Sequence, residues 1–324
     1  MVFARHRAAA RAARRQRQSG DELQGRGERR HSPLSLARRH GTSRRVSVPD
    51  IFDRAARRRY RDRAAPDFAQ YDFVRATMLD GLQERLDSVK RDFTDVLDLG
   101  CFDGGFAGPP GARIVRSDAG PRFAAGAGGI IAEEDHLPFA EASFDLIVSA
   151  GVLDSVSDLP GALIQARRAL RPDGLFLAAF VGAGSLASLR AALRVAEGDR
   201  PAARLHPQID VRSAGDLLMR AGFALPVADG ETLNVRYGDL GGLLRDLRGM
   251  AATNALNGRR PLRRDTLARA YQAFADLADP DGRVPERFEI IFMTGWAPSP
   301  DQPKPARRGS ATSSLAAALK LPQG

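Results

Sequence analysis

Short, mostly apolar runs that alternate with helical stretches are the feature that most restricts how this chain can fold. The runs occupy residues 96–100, 113–116, 129–132, 144–148 and 174–180. Their length and continuity are typical of strands buried on both faces. A helical pattern over residues 160–170 lies between the last two runs and ends in a cluster of Arg, Pro and Gly. The order predicts an α/β fold with a Rossmann-like, doubly wound and mostly parallel sheet.

The flanking segments extend this fold in both directions. Residues 50–63 and 67–90 have helical spacing, and residues 213–221 predict another helix that is stopped by Gly222. Weak alternation over 223–237 indicates a sixth strand, and residues 287–296 are the clearest late strand. Between these two strands, residues 238–284 predict a helical insert.

The charge is concentrated at the amino terminus. The whole chain has a net charge of +10, and residues 1–49 alone contain 13 Arg and three acids. The remaining chain is neutral, so we expect no nucleic-acid partner for the folded part. We predict a disordered basic arm over 1–45, a domain over 46–298 and a flexible Pro-rich tail over 299–324. The arm has three readings: an organelle transit peptide, an arm that contacts RNA or lipid, or residues translated from a wrongly assigned start.

Composition excludes several classes of protein. The single cysteine, Cys101, rules out an internal disulfide framework and a cysteine-based zinc site. No apolar stretch approaches the roughly 18–20 residues of a transmembrane helix, so we expect no membrane span. The arm lacks the apolar segment of a secretory signal.

A glycine-containing turn follows the first predicted strand. Asp98, Gly100, Cys101 and Gly104 lie at the strand end, where open α/β sheets bind ligands. The spacing of the glycines does not match the dinucleotide fingerprint, and the chain has no phosphate-binding loop. A purely structural turn is the alternative. Cys101 reads as a small packed side chain rather than a nucleophile.

Acidic residues follow the next two strands. Asp118 closes the second strand, where an acid can accept hydrogen bonds from the ribose hydroxyls of a nucleoside. The alternative for Asp118 is a turn or helix cap. Glu133 and Glu134 follow the third strand, together with Asp135 and His136. Consecutive residues rarely converge on one ion, so we expect no metal site there.

These elements together resemble the class I S-adenosylmethionine-dependent methyltransferases. The resemblance rests on residues 97–101, Asp118, and residues 137–139, 144–148 and 170–174, which occur in the family's order. It implies the class I methyltransferase fold with an antiparallel last strand. It also implies S-adenosylmethionine as cofactor, held at Asp98, Gly100, Cys101 and Gly104, with Asp118 on the ribose and Glu133 and Glu134 near the adenine amine.

Segments outside this core resemble the respiratory complex I assembly factor 5 family and its bacterial relatives. They include residues 51–54, 158–160, 244–250, 281–285 and 308–312. This resemblance implies a protein substrate, a subunit of NADH:quinone oxidoreductase. The alternatives are a non-catalytic or arginine-hydroxylating assembly factor with a degenerate cofactor pocket, or a malonyl-acyl-carrier-protein methyltransferase, which residues 244–249 also resemble. The expected location is the cytoplasm, or the mitochondrial matrix if the arm is a transit peptide.

Three departures from the family pattern predict a remodelled pocket. Phe102 replaces the second glycine, residues 105–112 are too rich in Gly and Pro for the usual helix, and residues 119–128 are poor helix formers. Asp154, after the fourth strand, is the candidate catalytic or substrate-positioning residue, with a loop cap as the alternative. Further candidates are Arg248 and Asn254 in the insert, Tyr237 and His206.

Overall fold

The computed structural model describes residues 50–302 and contains one seven-stranded sheet. The strand order is β3-β2-β1-β4-β5-β7-β6. Strands β1 to β5 are parallel, and β7 runs antiparallel to both β5 and β6. The strands are β1 (Asp95–Leu99), β2 (Arg113–Asp118), β3 (Ile130–Ile131), β4 (Phe144–Ala150), β5 (Leu170–Val181), β6 (Ala224–Tyr237) and β7 (Val284–Trp296). The predicted fold class is confirmed, including the antiparallel last strand.

Eight α-helices and two 3-10 helices surround the sheet within the part of the chain that the structure describes. The α-helices are α1 (Arg54–Ala64), α2 (Phe73–Asp87), α3 (Pro121–Gly126), α4 (Leu159–Ala169), α5 (Ala187–Glu197), α6 (Val211–Arg220), α7 (Leu240–Gly249) and α8 (Arg264–Ala275). The 3-10 helices are Ala65–Gln70 and Leu153–Ser155.

The sheet separates two apolar cores because successive strand residues point to opposite faces. In β4, Leu146 and Val148 join the core formed with α2, α5, α7 and α8. Their neighbour Ile147 joins the other core, with residues of α4 and α6. All seven residues of β4 are buried, as expected for a central strand of a covered sheet.

Helix capping explains where several helices begin. The side chains of Asp53, Asp158, Asp210 and Asp239 each accept a hydrogen bond from a backbone N–H in the first turn of α1, α4, α6 and α7. Such a cap contributes about 1 kcal/mol. Through this cap, Asp53 fixes the start of α1, the helix that faces the candidate site.

The structure adds detail to several predictions. No helix forms between β1 and β2, as the Gly and Pro content predicts, whereas residues 119–128 do contain the short helix α3. The insert over 238–284 contains α7 and α8 with an irregular segment between them. Helix α5 was not predicted.

The basic arm and most of the tail lie outside the described residues, so the domain boundaries at 45 and 298 stay predictions. Within residues 50–302, no helix combines the length and apolar character needed to cross a bilayer.

Candidate functional site

The turn after β1 packs against the loop after β4. Gly100 has a φ of 76°, and a Cβ added there would collide with the side chain of Val152. The backbone N–H groups of Gly100 and Cys101 donate to the Ser117 carbonyl at 2.8 and 2.9 Å. Glycine is therefore required at position 100 both for its backbone conformation and for the space it leaves.

Cys101 is fully buried beneath this turn. Burial raises the pKa of its thiol to about 12, so the sulfur stays protonated at neutral pH. A buried, protonated thiol is a poor nucleophile. This result agrees with the interpretation of Cys101 as a packed side chain.

Phe102 fills the space above the turn. Its ring is buried, stacks on Phe68 with centroids 4.8 Å apart, and meets the edge of Phe123 at 5.2 Å. The φ of Phe102 is 48°, a left-handed conformation that favours glycine. Phe102 therefore occupies the glycine position of the family pattern with a glycine-like backbone but a large side chain.

Asp118 lies at the end of β2, as the sequence predicts, and is fully buried. The Nε and Nη2 atoms of Arg61 donate to its two carboxylate oxygens, and the backbone N–H groups of Phe102 and Gly120 donate at 2.9 and 2.7 Å. Burial opposes ionisation, but the charge and hydrogen bonds of Arg61 outweigh it and lower the pKa of Asp118. A carboxylate can accept about four hydrogen bonds, so these four donors fill the acceptor capacity of Asp118.

Arg61 reaches Asp118 from helix α1 and is itself buried. Its guanidinium carbon lies 3.9 Å from the centroid of the Phe102 ring. The guanidinium therefore has a carboxylate at its edge and an aromatic ring at its face, the two partners that arginine prefers.

The acids after β3 are held by the same helix. Arg57 donates to Glu133 at 3.0 Å and to both oxygens of Glu134 at 2.7 and 2.8 Å. Arg54 donates to both oxygens of Asp135 at 2.7 Å. The site is therefore an acidic sheet edge covered by an arginine-rich helix.

Arg58 completes this set by donating to Glu133 at 2.8 Å. We refer to the four pairing side chains, Arg54, Arg57, Arg58 and Arg61, as the arginine face of α1. Sequence reasoning missed its role. The signal was available, because spacings of three, four and seven residues place these arginines on one side of a helix.

Asp98 contrasts with the acids of β2 and β3. It is 1% exposed, and neither of its carboxylate oxygens has a hydrogen-bond partner among the described residues. The nearest cationic atoms are Nη2 of Arg75 at 4.0 Å and Nε of Arg116 at 3.9 Å. Burial therefore raises the pKa of Asp98 to about 6.

Gly104 lies beside the same group of charges. It has a φ of 75°, and a Cβ added there would lie 3.3 Å from Nε of Arg116. Asp98, Gly100, Cys101 and Gly104 are thus brought together at one strand end, as the sequence predicts.

Asp154 lies in the 3-10 helix that follows β4 and is partly exposed. Burial by its surroundings raises the pKa of its carboxyl to about 6. The neighbouring Ser155 hydroxyl accepts a hydrogen bond from Nε of Arg57 at 3.1 Å. Asp154 therefore lies at the same sheet edge as the acids, and its catalytic role stays a prediction.

The remaining candidates make structural contacts. The Tyr237 hydroxyl donates to Asp246 at 3.1 Å, and the Asn254 amide donates to the Ala203 carbonyl at 3.0 Å. Nε2 of His206 accepts the N–H of Ala255 at 3.0 Å. Arg248 lies near Arg63, whose pKa is lowered by burial and by this second positive charge. These contacts do not bring Tyr237 or Arg248 to the acidic edge.

Comparison with known proteins identifies the family. Residues 97–178 match a family model described as a methyltransferase domain. The chain is 35% identical over 290 residues to arginine-hydroxylase NDUFAF5, mitochondrial, of Danio rerio, covering 84% of this chain and 90% of the relative. This chain belongs to the class I S-adenosylmethionine-dependent methyltransferase family, and it resembles NDUFAF5.

Two further relatives come from two different groups of proteins. The human NDUFAF5 protein is 33% identical, with 89% of this chain and 88% of the relative covered. A malonyl-[acyl-carrier protein] O-methyltransferase of Methylovorus is 32% identical, with 76% of this chain and 90% of the relative covered. The resemblance to both groups confirms the family predicted from the sequence.

The side chains at the sheet edge test whether S-adenosylmethionine fits. Asp98 is a buried carboxylate with no hydrogen-bond donor in the described part of the chain, which suits the ammonium group of the cofactor. Asp118 and Glu134 instead have both oxygens engaged by Arg61 and Arg57, and Phe102 lies over the turn. The adenosine half therefore does not fit while Arg61 pairs with Asp118. The cofactor-binding role of these acids stays a prediction.

Proposed function

We propose that this protein acts in the assembly of respiratory complex I by binding a subunit of NADH:quinone oxidoreductase at the acidic sheet edge. Family membership supports the assembly role, because the chain aligns with NDUFAF5 proteins over most of their length. The observation that favours an assembly role over methyl transfer is the engagement of Asp118 by four donors from within the chain, because these donors occupy the carboxylate that the cofactor's ribose would need.

The chemistry of the edge favours a guanidinium as the group recognised on the partner. Its carboxylates already bind four guanidinium groups, all from α1. Arg54 and Arg58 have side chains 28% and 47% exposed, whereas those of Arg57 and Arg61 are 6% and 4% exposed. The side chains of Asp135 and Glu133 are themselves only 2% and 9% exposed, so a partner's arginine reaches them by displacing Arg54 and Arg58, the two exposed guanidiniums that cover them. This placement agrees with the name arginine-hydroxylase carried by the NDUFAF5 relatives.

The expected location follows from this role. We propose that the protein acts in the cytoplasm, or in the mitochondrial matrix if the basic arm is a transit peptide. The mitochondrial relatives support the second location for a eukaryotic source.

An affinity pulldown from cells of the source organism tests the proposed function. The tagged full chain is expected to recover a subunit of NADH:quinone oxidoreductase, and loss of the gene is expected to reduce complex I activity. Recovery of no such subunit, together with normal activity in the knockout, would contradict the assembly role.

A pair of variants locates the binding edge. Glu133→Gln removes one charge from the acidic edge and is expected to reduce recovery of the subunit. Glu141→Gln is the matched control, because Glu141 is exposed and pairs with Arg168 outside this edge. Equal recovery by the two variants, with equal melting temperatures, would exclude the acidic edge as the binding surface.

Methyl transfer from S-adenosylmethionine is the second candidate function. The observation that favours it is Asp98, a buried carboxylate with no hydrogen-bond donor among residues 50–302. Buried carboxylates without donors are rare in proteins, and a cationic ligand would remove the cost of burying this one. Calorimetric titration with S-adenosylmethionine separates the two functions.

A further inference from the structure

An open cavity of about 590 Å³ lies beyond the carboxyl end of β5. Its apolar walls include Ile51, Leu205 and Leu256, which come from the segment before α1, the segment before α6 and the insert. Its volume falls within the roughly 300–1,000 Å³ typical of small-molecule sites. The cavity is distinct from the acidic edge that the arginine face of α1 covers.

The cavity nevertheless adjoins the loop that carries Asp154. The backbone N–H of Phe52 donates to the Ser157 hydroxyl at 3.1 Å, just beyond Asp154 in the chain. The rings of His206 and Phe52 pack in a T-shaped pair with centroids 4.7 Å apart, and His206 lines the cavity. A ligand in the cavity therefore lies beside the sheet edge that holds the candidate catalytic carboxylate.

Arg190 supplies a positive charge to the cavity. Its Nη2 donates to the Gln208 amide oxygen at 2.9 Å, and both side chains line the cavity. Among residues 50–302, no carboxylate lies within ion-pair distance of Arg190. The hydrogen bond to Gln208 orients the guanidinium and leaves most of its N–H groups for a ligand.

His206 adds a neutral donor rather than a second charge. Its Nε2 accepts the N–H of Ala255, so the ring proton lies on Nδ1. Burial lowers the pKa of His206 to about 4, which keeps the ring uncharged at neutral pH. The cavity lining thus contains donors and one cation, and it contains no acidic side chain.

We propose that this cavity binds a carboxylate carried on a short aliphatic chain, with Arg190 as the cation that holds it. The apolar walls suit the aliphatic part, and the guanidinium can bind the carboxylate through two parallel hydrogen bonds. A cationic ligand would meet Arg190 without a compensating acid. The inference rests on the proposed function in one respect, which is that a partner or substrate binds at the carboxyl ends of the parallel strands.

Titration of the full chain with glutarate tests the inference. Glutaramide is the neutral analogue of equal length, and 1,5-diaminopentane is the cationic one. Loss of a charge-assisted hydrogen bond weakens binding about tenfold or more, so we expect glutarate to bind at least that much more tightly than glutaramide. Diaminopentane is expected not to bind. Equal affinity for glutarate and glutaramide, or absence of glutarate binding, would overturn the proposal.

Two variants on α5 identify the cation. Arg190→Gln is expected to lower the affinity for glutarate to that for glutaramide. Arg194→Gln is the matched control, because Arg194 lies one turn further along α5 and lines the smaller neighbouring cavity but not the proposed site. A thermal melt checks that both variants fold. Unchanged glutarate binding by Arg190→Gln would overturn the proposal.

A third probe distinguishes the source of the carboxylate. N-acetylglutamate methylamide presents the same group as a protein side chain, and tighter binding of this probe than of glutarate supports an acidic residue of a partner. Tighter binding of glutarate supports a free or acyl-linked acid. The pulldown is independent of these titrations, so recovery of an oxidoreductase subunit without carboxylate binding would refute this inference and leave the proposed function standing.

Discussion

Asp98 and Asp118 lie at the carboxyl ends of neighbouring parallel strands and are both buried, yet their hydrogen bonding differs. Asp118 receives two hydrogen bonds from Arg61 and two from backbone N–H groups, and its pKa is lowered. Asp98 receives none, and its pKa is raised to about 6. The carboxylate of β2 is therefore saturated with hydrogen bonds, whereas that of β1 has two arginines at 3.9 and 4.0 Å and no hydrogen bond within residues 50–302.

The difference originates in the helices that cover the two strand ends. Arg61 projects from α1 directly onto Asp118. Arg75, from α2, instead donates to the Cys101 carbonyl at 3.0 Å, and its Nη2 stays 4.0 Å from Asp98. The comparison shows that an acid at a strand end can hold a covering helix in place when an arginine of that helix donates hydrogen bonds to it. Without such hydrogen bonds, the acid has oxygens available for a ligand.

Removal of Arg61 is expected to have the largest effect. Arg61→Gln leaves Asp118 as a buried charge without its cation, which costs about 3–5 kcal/mol of unfolding free energy. Denaturant unfolding at neutral pH measures this loss. A loss below about 1 kcal/mol would mean that water or another side chain satisfies Asp118, and the contrast between the two strand ends would disappear.

Neutralising the two acids is expected to change stability in opposite directions. At neutral pH, Asp118→Asn is expected to destabilise the protein, because folding lowers the pKa of Asp118 below its unfolded value of 3.8. The stability that the ionised Asp118 contributes is fully present above pH 3.8, and it is lost as the pH falls through the pKa of the folded state. Asp98 has a raised pKa, so its ionisation reduces stability as the pH rises from 3.8 to about 6.

Asp98→Asn removes that penalty. A pKa shift of about two units corresponds to about 3 kcal/mol. The unfolding free energy of Asp98→Asn minus that of the native chain is therefore expected to rise with pH, by up to about 3 kcal/mol between about pH 4 and about pH 7. Unfolding of both proteins across this range provides the measurement. A difference that does not vary with pH would show that Asp98 has donors in solution.

An exposed ion pair is expected to show the smallest effect. Arg168 pairs with Glu141, with side chains 58% and 67% exposed. Arg168→Gln should cost less than about 1 kcal/mol, because solvent screens the pair. A cost comparable to that of Arg61→Gln would indicate that burial does not explain the difference between the pairs.

Strand positions were predictable because short apolar runs, such as residues 96–100 and 144–148, alternate with helical patterns. Strand β2 ends at Asp118 as predicted, and β1 ends at Leu99, one residue before the predicted Gly100. Helix α5 was missed, since two of its three fully buried residues, Ala192 and Ala196, are alanines that give a weak apolar signal.

The pairing at the site was harder to predict than the strands. Arg61 lies 57 residues before Asp118 in the chain, and sequence spacing does not show which acid a guanidinium reaches. The glycine and Phe102 pattern did predict a remodelled pocket. In the structure the guanidinium of Arg61 lies over the Phe102 ring beside this turn, and the remodelled pocket stays a prediction.

Calorimetric titration of the full chain with S-adenosylmethionine tests the central claim, that the pairing of Arg61 with Asp118 closes the adenosine half of the site. The native protein is expected to show no binding at micromolar concentrations of the cofactor. Micromolar binding that is lost in Asp118→Ala would contradict the claim, because it would show that Asp118 is available to the ribose.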